Sequence, residues 1–450
     1  MGGLENKSVV LGITGGIAAY KGAELCRLLV KSGARVQVVM TAAAKKFITP
    51  LTLQALSGQP VADDLFDADA EARIGHIRIG DEAGLIVIAP ATADTIARFA
   101  GGRADDLLTA VVLASRAPVL LAPAMNVNMW SNPLTQQNLG KLLALGRFRT
   151  VGPDRGDLAC GWVGEGRLIE PPEIAAAAAR LLTVQDLAGR KVVVTAGPTQ
   201  EPIDDVRFLG NRSSGKMGFA LAGAAARRGA EVTLIAGPVA LDTPPSDPGA
   251  PLVRHDVETA EQMRAALGAA ATRADVVVMS AAVADFRPAG RVPGKLSRRA
   301  KGPASELALV ANPDLLAELG RSRAGRRPLL VGFAAEVGTE DDLMRARARE
   351  KLVEKRCDVI VLNDVGRPGI GFGSDDNAVT LLFAGGQEET LPRAPKDRIA
   401  DDLWDRLALA LGGAASRTLA TARGRRHSGV VRPLAALASS RGGRGRTRRA

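Results

Sequence analysis

Cysteine is scarce in this chain. Three are present in 450 residues, Cys26, Cys160 and Cys357, far apart and with no CxxC pair. That excludes a disulfide framework and a thiolate zinc site, no metal-binding cluster is expected, and the usage fits a reducing, cytoplasmic setting. Long hydrophobic runs are lacking as well. No apolar stretch approaches the ~20 residues that a membrane helix needs. The opening Met1–Lys7 is short and polar, and the apolar run behind it stops at Thr14-Gly15-Gly16, so no targeting segment is expected. Acid and lysine are both absent from Gly413–Ala450, which holds ten arginines. The net charge is +11, so without those ten only +1 remains for residues 1–412. The body is therefore nearly neutral. A basic tail over 412–450 with no aromatic for base stacking reads as disordered rather than as a nucleic-acid-binding element.

What is present is a soluble composition, 46% hydrophobic and 24% charged, in a chain long enough for two or three domains. Two stretches begin alike. Ser8–Ile13 and Lys191–Thr195 read as buried strands, each running into a glycine-bearing turn. Further strands are expected at Arg35–Met40, Leu85–Ala89 and Val119–Ala122, then at Glu231–Ile235, Asp275–Met279, Leu329–Val331, Asp358–Leu362 and Ala378–Phe383. Their alternation with helical stretches, such as Ile17–Ser32, predicts α/β architecture with two parallel-sheet, Rossmann-like domains. The join falls between Pro171-Pro172 and Gly189, after an alanine-rich helix at Glu173–Leu182. This gives 1–183, 184–411 and the tail. Gly237–Pro251, with five prolines, reads as a surface loop.

In the first half, Thr14–Lys21 puts Gly15 and Gly16 where a strand turns into a helix. That spacing suits a phosphate as well as a plain turn, and the GxGxxG pattern is absent. Ala89-Pro90-Ala91-Thr92 and Pro123-Ala124-Met125-Asn126 end two further strands, where open α/β sheets bind ligands. Ala159–Leu168 reads as a mobile glycine-rich loop around Cys160. Cys26 reads as core.

With Phe47–Leu51 and Gly75-His76-Ile77, these segments resemble, from Lys7 to about Leu168, the flavin-containing cysteine decarboxylases. The likeness is specifically to the phosphopantothenoylcysteine decarboxylase part of a bacterial bifunctional family. The resemblance implies FMN held by Gly15, Gly16, Ala89 and Thr92. It makes His76 the base in thiol oxidation, Asn126 the holder of the substrate carboxylate, and Cys160 the acid on a closing flap. One departure is Asp105, where the family generally carries Asn.

In the second half, Asn211-Arg212-Ser213-Ser214-Gly215-Lys216 opens a helix with hydroxyls, amides and an ammonium. It is not a P-loop, and Ser213 and Ser214 also fit simple capping. Ala281–Phe286 and Gly332–Glu336 end strands, and Asn312–Leu316 starts a helix. Lys351 and Lys355, four apart, suit a polyphosphate or solvent. Together Lys191 to about Leu407 is similar to phosphopantothenate–cysteine ligase in its CTP-using form. That likeness puts Asp285 at the ribose or base, Phe333 beside the base, and Lys351 and Lys355 on the triphosphate. Lys295 would stabilise the developing charge, while Arg207 and Asn211 would hold the acyl-cytidylate. Magnesium is expected with the triphosphate. Lys295-Leu296-Ser297-Arg298 departs from the family's run of lysines.

The resemblances imply a coenzyme A biosynthesis enzyme that joins 4'-phosphopantothenate to cysteine with CTP and then decarboxylates the product. They also imply homo-oligomers, trimeric through the first part and dimeric through the second. Two other readings stay open on the residues alone. One is a flavoprotein acting on another cysteine-bearing substrate, and the other is a non-catalytic nucleotide- or nucleic-acid-binding protein.

Overall fold

The computed structural model describes residues 4–65, 75–157, 163–246, 249–296, 306–323, 325, 327–338, 340–367 and 369–412. Its first sheet comprises β1 (Ser8–Ile13), β2 (Arg35–Met40), β3 (Leu85–Ala91), β4 (Val119–Pro123) and β5 (Phe148–Thr150). The order is β2-β1-β3-β4-β5, and every pair is parallel. All seven residues of β3 are buried, as expected of a strand covered on both faces. On one face α1 (Lys21–Lys31), α2 (Pro50–Ser57) and α8 (Pro171–Leu182) pack with Leu25, Cys26, Leu53 and Ile174. On the other lie α3 (His76–Glu82), α4 (Ala93–Ala100), α5 (Leu107–Ala114) and α7 (Pro133–Ala144), with Ile79, Ile96, Val111 and Leu139.

The second sheet contains β8 (Lys191–Ala196), β11 (Glu231–Ala236), β12 (Leu252–Asp256), β13 (Val276–Met279), β16 (Leu329–Glu336), β17 (Val359–Asp364), β18 (Asp376–Phe383) and β19 (Glu388–Pro395). Its order is β12-β11-β8-β13-β16-β17-β18-β19. Within this sheet only the β17–β18 and β18–β19 pairs are antiparallel. Two short antiparallel pairs stand apart from it, β9 (Gln200–Pro202) with β10 (Phe208–Gly210) and β14 (Phe286–Pro288) with β15 (Leu309–Ala311). Helices α9 (Lys216–Arg227) and α13 (Lys396–Ala410) cover one face. Helices α10 (Ala260–Ala271), α11 (Leu315–Ser322) and α12 (Asp341–Glu354) cover the other. Trp404 of α13 is fully buried and donates its indole N–H to the Leu221 carbonyl of α9 at 2.9 Å. Gly218 lets α9 sit close on β8, where an added Cβ would lie 2.5 Å from Ala196 Cβ. Truncating Trp404 to alanine removes about 3–5 kcal/mol.

Every strand expected from the sequence is present, most within a residue or two of the expected ends; β16 runs on to Glu336 and takes in the expected turn at Gly332–Glu336. Three expectations change. The helix expected over Ile17–Ser32 begins with a 3₁₀ turn at Ile17–Tyr20, because extended Gly16 supplies no side-chain cap to hold an α-turn there. Part of the loop expected over Ala159–Leu168 is a strand, β7 (Val163–Arg167), paired antiparallel with β6 (Asp154–Asp157). Its glycines serve close packing: a Cβ on Gly164 would meet Val127 Cγ2 at 2.6 Å, and one on Gly166 the Met125 carbonyl oxygen at 2.3 Å. Within the proline-rich stretch, Ala250 makes a bridge and edge strand β12 follows at once. Strands β5, β12 and β19 escaped the sequence reading because short or polar edge strands lack the β-branched run that marks a central strand. Cys160 and the expected disordered tail beyond Gly412 lie outside the described residues.

Candidate functional site

At the carboxyl edge of the first sheet, the turns after β1 and β3 are stitched together. Thr14 donates its hydroxyl to the Pro90 carbonyl at 2.6 Å and accepts from the Thr92 amide at 3.4 Å. Thr92 then caps α4, its side chain accepting from the Thr95 amide at 3.3 Å. Gly15 sits against the next turn, where an added Cβ would lie 2.4 Å from Ala43 Cβ. Gly16 faces Thr92, with 3.8 Å between an added Cβ and Thr92 Cγ2. The result is a backbone-lined cradle beside a helix N-terminus, which is what a flavin phosphate requires. Ala89 is fully buried within β3, so it shapes the cradle floor from inside the strand.

Asn126 lies three residues beyond β4 and caps the short helix α6 (Val127–Ser131), accepting from the Asn128 amide at 2.8 Å. The Met125 amide donates to the Gly166 carbonyl at 2.9 Å, so the β6–β7 hairpin is rooted beside Asn126. Trp130 donates to Glu165 at 3.2 Å. At the hairpin's end Glu170 is gripped by Lys21 at 2.9 Å and by Arg167 at 2.5 Å. The Lys21 hydrogen bond leads in holding the Glu170 carboxyl below its ordinary range. Cys160 therefore belongs to the segment joining two strands anchored beside the site. His76 is half-buried and opens α3, which packs on α5. Asp105, the departure from the family pattern, is bound by Arg98 at 2.5 Å and by Arg103. Arg98 also holds Asp106 at 2.7 Å, and hydrogen bonding from Arg98 leads in lowering the Asp105 pKa.

The second sheet carries an open cleft of about 690 Å³ over the carboxyl ends of its parallel strands. Strand order turns between β8 and β13, the place where α/β sheets take ligands. Thr195 and Thr199 hydroxyls accept from the Ala281 and Ala284 amides at 3.2 and 3.0 Å and hold the two strand ends together. Asn211, Asp285, Phe333, Lys351 and Lys355, which the resemblance assigns to the nucleotide and acyl intermediate, all line the cleft. Asn312 fixes the Asp285 turn by donating its amide N–H to the Asp285 carbonyl and its side chain to the Ala284 carbonyl, both at 2.8 Å. Lys351 pairs with Glu336 at 2.6 Å, and Lys355 pairs with Asp314, which caps α11. Neither Ser213 nor Ser214 is the N-cap of α9; Gly215 is, from the left-handed region at φ +77°, and the Ser213 hydroxyl accepts from the Gly215 amide at 3.4 Å. Both serines line the cleft instead.

Arg207 and Lys295 stand apart from the cleft lining. Arg207 donates to the Leu296 carbonyl at 3.1 Å and pairs with Asp204 at 3.3 Å. The Leu296 amide returns to Asp204 at 3.0 Å. The structure thus joins the Arg207 turn to the exposed Lys295 segment, without placing either in the cleft wall. Lys396 and Asn377 are polar lining residues to which the sequence analysis gave no role. Lys396 follows edge strand β19 and opens α13, Asn377 is the second residue of β18, and no motif marks either.

Fold and sites define a class: a flavoprotein-type α/β domain followed by an α/β domain with a lysine-lined cleft. Family models agree. Residues 2–183 match the family described as Flavoprotein, and residues 187–410 match the DNA/pantothenate metabolism flavoprotein C-terminal domain. The chain is 49% identical over 400 residues to the coenzyme A biosynthesis bifunctional protein CoaBC of Vibrio cholerae, covering 89% of this chain and 97% of that one. It is 47% identical over 406 residues to the Escherichia coli K12 protein of the same name, covering 90% and 97%. A crystal structure of the C-terminal domain of a coenzyme A biosynthesis bifunctional protein covers 51% of this chain and 98% of its own, at 34% identity and a TM-score of 0.41. The chain belongs to the family of bifunctional coenzyme A biosynthesis proteins.

Proposed function

We propose that the chain catalyses two consecutive steps of coenzyme A biosynthesis, with residues 184–411 as the ligase and 1–183 as the decarboxylase. The observation that carries this reading is the pairing, in one chain, of a backbone cradle at Gly15, Gly16 and Thr92 with a separate lysine-lined cleft at Asn211, Asp285 and Lys351. Neither reaction alone requires both.

In the ligase cleft Asp285 and Phe333 hold the ribose and base of CTP, and Lys351 and Lys355 neutralise its triphosphate. The carboxylate of 4'-phosphopantothenate attacks the α-phosphate and pyrophosphate leaves. Asn211 orients the resulting acyl-cytidylate, and the amine of cysteine displaces CMP and loses its proton. Lys295 and Arg207, on two turns joined through Leu296, stabilise the charge as it develops. Magnesium would accompany the nucleotide's phosphates as their counter-ion.

In the decarboxylase domain the residues at the first sheet's edge fit FMN, held by Gly15, Gly16, Ala89 and Thr92. FMN supplies the two-electron chemistry at the cysteinyl thiol. His76 takes the proton there, Asn126 holds the carboxylate that departs as carbon dioxide, and Cys160 returns a proton to the product. No described helix is long and apolar enough to cross a membrane, and a cytoplasmic enzyme is the reading adopted. The assembly is a homo-oligomer, trimeric through the first domain and dimeric through the second.

The test is a purified full-length chain examined for bound flavin and for turnover. A yellow protein that releases FMN, and that forms CMP and carbon dioxide from 4'-phosphopantothenate, cysteine and CTP, supports the proposal. A colourless chain that takes up no FMN removes the decarboxylase half, and absence of CMP release removes the ligase half.

A further inference from the structure

The ligase cleft has cations on both sides of the sheet. Lys351 and Lys355 belong to the α11–α12 face. Lys216 and Lys396 belong to the opposite face, each as the first residue of a long helix, α9 of 12 residues and α13 of 15. Both line the cleft, together with Ser213, Ser214 and Asn377.

These two lysines converge on one short turn. Lys216 donates to the Gly373 carbonyl at 2.9 Å and pairs with Asp375 at 2.7 Å. Lys396 donates its side chain to the Ser374 carbonyl and its amide to the Asp375 carbonyl, the latter at 2.9 Å. The Asp375 side chain is 88% exposed, so the one carboxylate that Lys216 pairs with lies in solvent. Burial, then the neighbouring charge of Lys216, pushes the Lys396 ammonium below its ordinary range; Asp375 and Asp376 oppose this only partly. The N-cap residues Gly215 and Pro395 supply no side-chain cap; at the start of α9 the Ser213 hydroxyl accepts from the Gly215 amide at 3.4 Å. Two cations and two positive helix ends held close together in a cavity are costly unless an anion joins them.

The ligase chemistry brings two anionic groups to this cleft besides the reacting carboxylate. One is the nucleotide's polyphosphate. The other is the phosphate monoester at the far end of the acid substrate. While the carboxylate meets the α-phosphate, that far phosphate must lie away from the polyphosphate, since like charges repel in a partly desolvated cleft. We infer that Lys216 and Lys396, with the N-termini of α9 and α13, form a phosphate-monoester subsite that selects the phosphorylated acid over its unphosphorylated form. This rests on the ligase reading above.

The test compares the full-length chain with K216Q, K396Q and K396R by calorimetric binding of 4'-phosphopantothenate, of pantothenate and of CTP. The acids are titrated both alone and with a non-cleavable CTP analogue present. The native chain is expected to prefer the phosphorylated acid, and each glutamine variant to lose about tenfold of that preference. CTP affinity should stay within about twofold, which also reports an intact fold, and K396R should recover most of the preference. A preference unchanged in both glutamine variants overturns the subsite, and so does a native chain that does not distinguish the two acids. An equal loss of CTP affinity overturns it too, and assigns the lysines to the polyphosphate. Failure of the ligase reading is seen separately, as a native chain that binds these compounds yet releases no CMP.

Discussion

Asn211 donates its side-chain amide to the main-chain carbonyl of Ala282 at 3.0 Å, and also to that of Val283 at 3.1 Å. The residue leaving β10 (Phe208–Gly210) thereby fixes the turn after β13, where Asp285 stands. Asn211→Ala removes both bonds and the oriented amide. CMP release is expected to fall by about 100-fold. Carbon dioxide release from supplied phosphopantothenoylcysteine should be unchanged, because that site is on the other sheet. Equal loss in both assays would show a folding defect instead.

Gly15 tests the flavin cradle. Gly15→Ala places a methyl group 2.4 Å from Ala43 Cβ and 3.0 Å from the Ala43 carbonyl carbon, so the two turns must part. Bound FMN, read from visible absorbance per chain, should drop severalfold. Gly140→Ala, where a Cβ meets nothing within 4 Å, should keep its flavin.

The three thiols should separate by reactivity. Burial pushes Cys26 up to about 11 and, leading the other causes, Cys357 up to about 12. Both stay protonated and shielded at pH 8. Native protein should show one fast-reacting thiol, lost in Cys160→Ser, and three after denaturation. Two fast thiols in Cys160→Ser would refute the core placement of Cys26 and Cys357.

Arg228 is 5% exposed and binds Asp186, and also Asp405 at 2.9 Å, tying the start of the second domain to α13. Arg228→Ala leaves Asp186, whose side chain is only 8% exposed, without its counter-charge. A loss of about 3–5 kcal/mol is expected in the denaturant transition of that domain. The flavin signal should not change at low denaturant.

Asp314 supplies a pH dependence. Burial raises its pKa, but the Lys355 ammonium and the Ala317 amide outweigh it, and the carboxyl is held below its ordinary 3.8. A depressed carboxyl stabilises the fold above the unfolded value, and that contribution is lost as pH falls through the folded value. Asp314→Asn should therefore be less stable than the native chain at pH 7, with the gap closing below pH ~4. A gap that persists in acid would show that packing, not charge, is what Asp314 contributes.

Much of this was legible in advance because central strands announce themselves. Val192–Val194, Ile86–Ile88 and Val276–Val278 are continuous apolar runs, and parallel strands buried on both faces need them. The turns that follow such strands held most of the expected site residues, including Gly15, Thr92, Asn126 and Asp285. Lys396 was not legible, because it follows the polar edge strand β19 and reaches the cleft only through the docking of α13 on α9. Arg207 and Lys295 were named from sequence, yet their link through Leu296 depends on two turns far apart in the chain meeting.

The sequence by itself determined the two-sheet order, the buried strands and the neutral body with its basic end, since hydrophobic patterning and charge are local properties of the chain. Only the tertiary structure decided which side of the second sheet each lysine pair occupies. It also showed that the glycines of the hairpin pack closely against Val127 and Met125. Those outcomes depend on which helices share a face and on backbones meeting at a few ångströms, and no short stretch of residues encodes either.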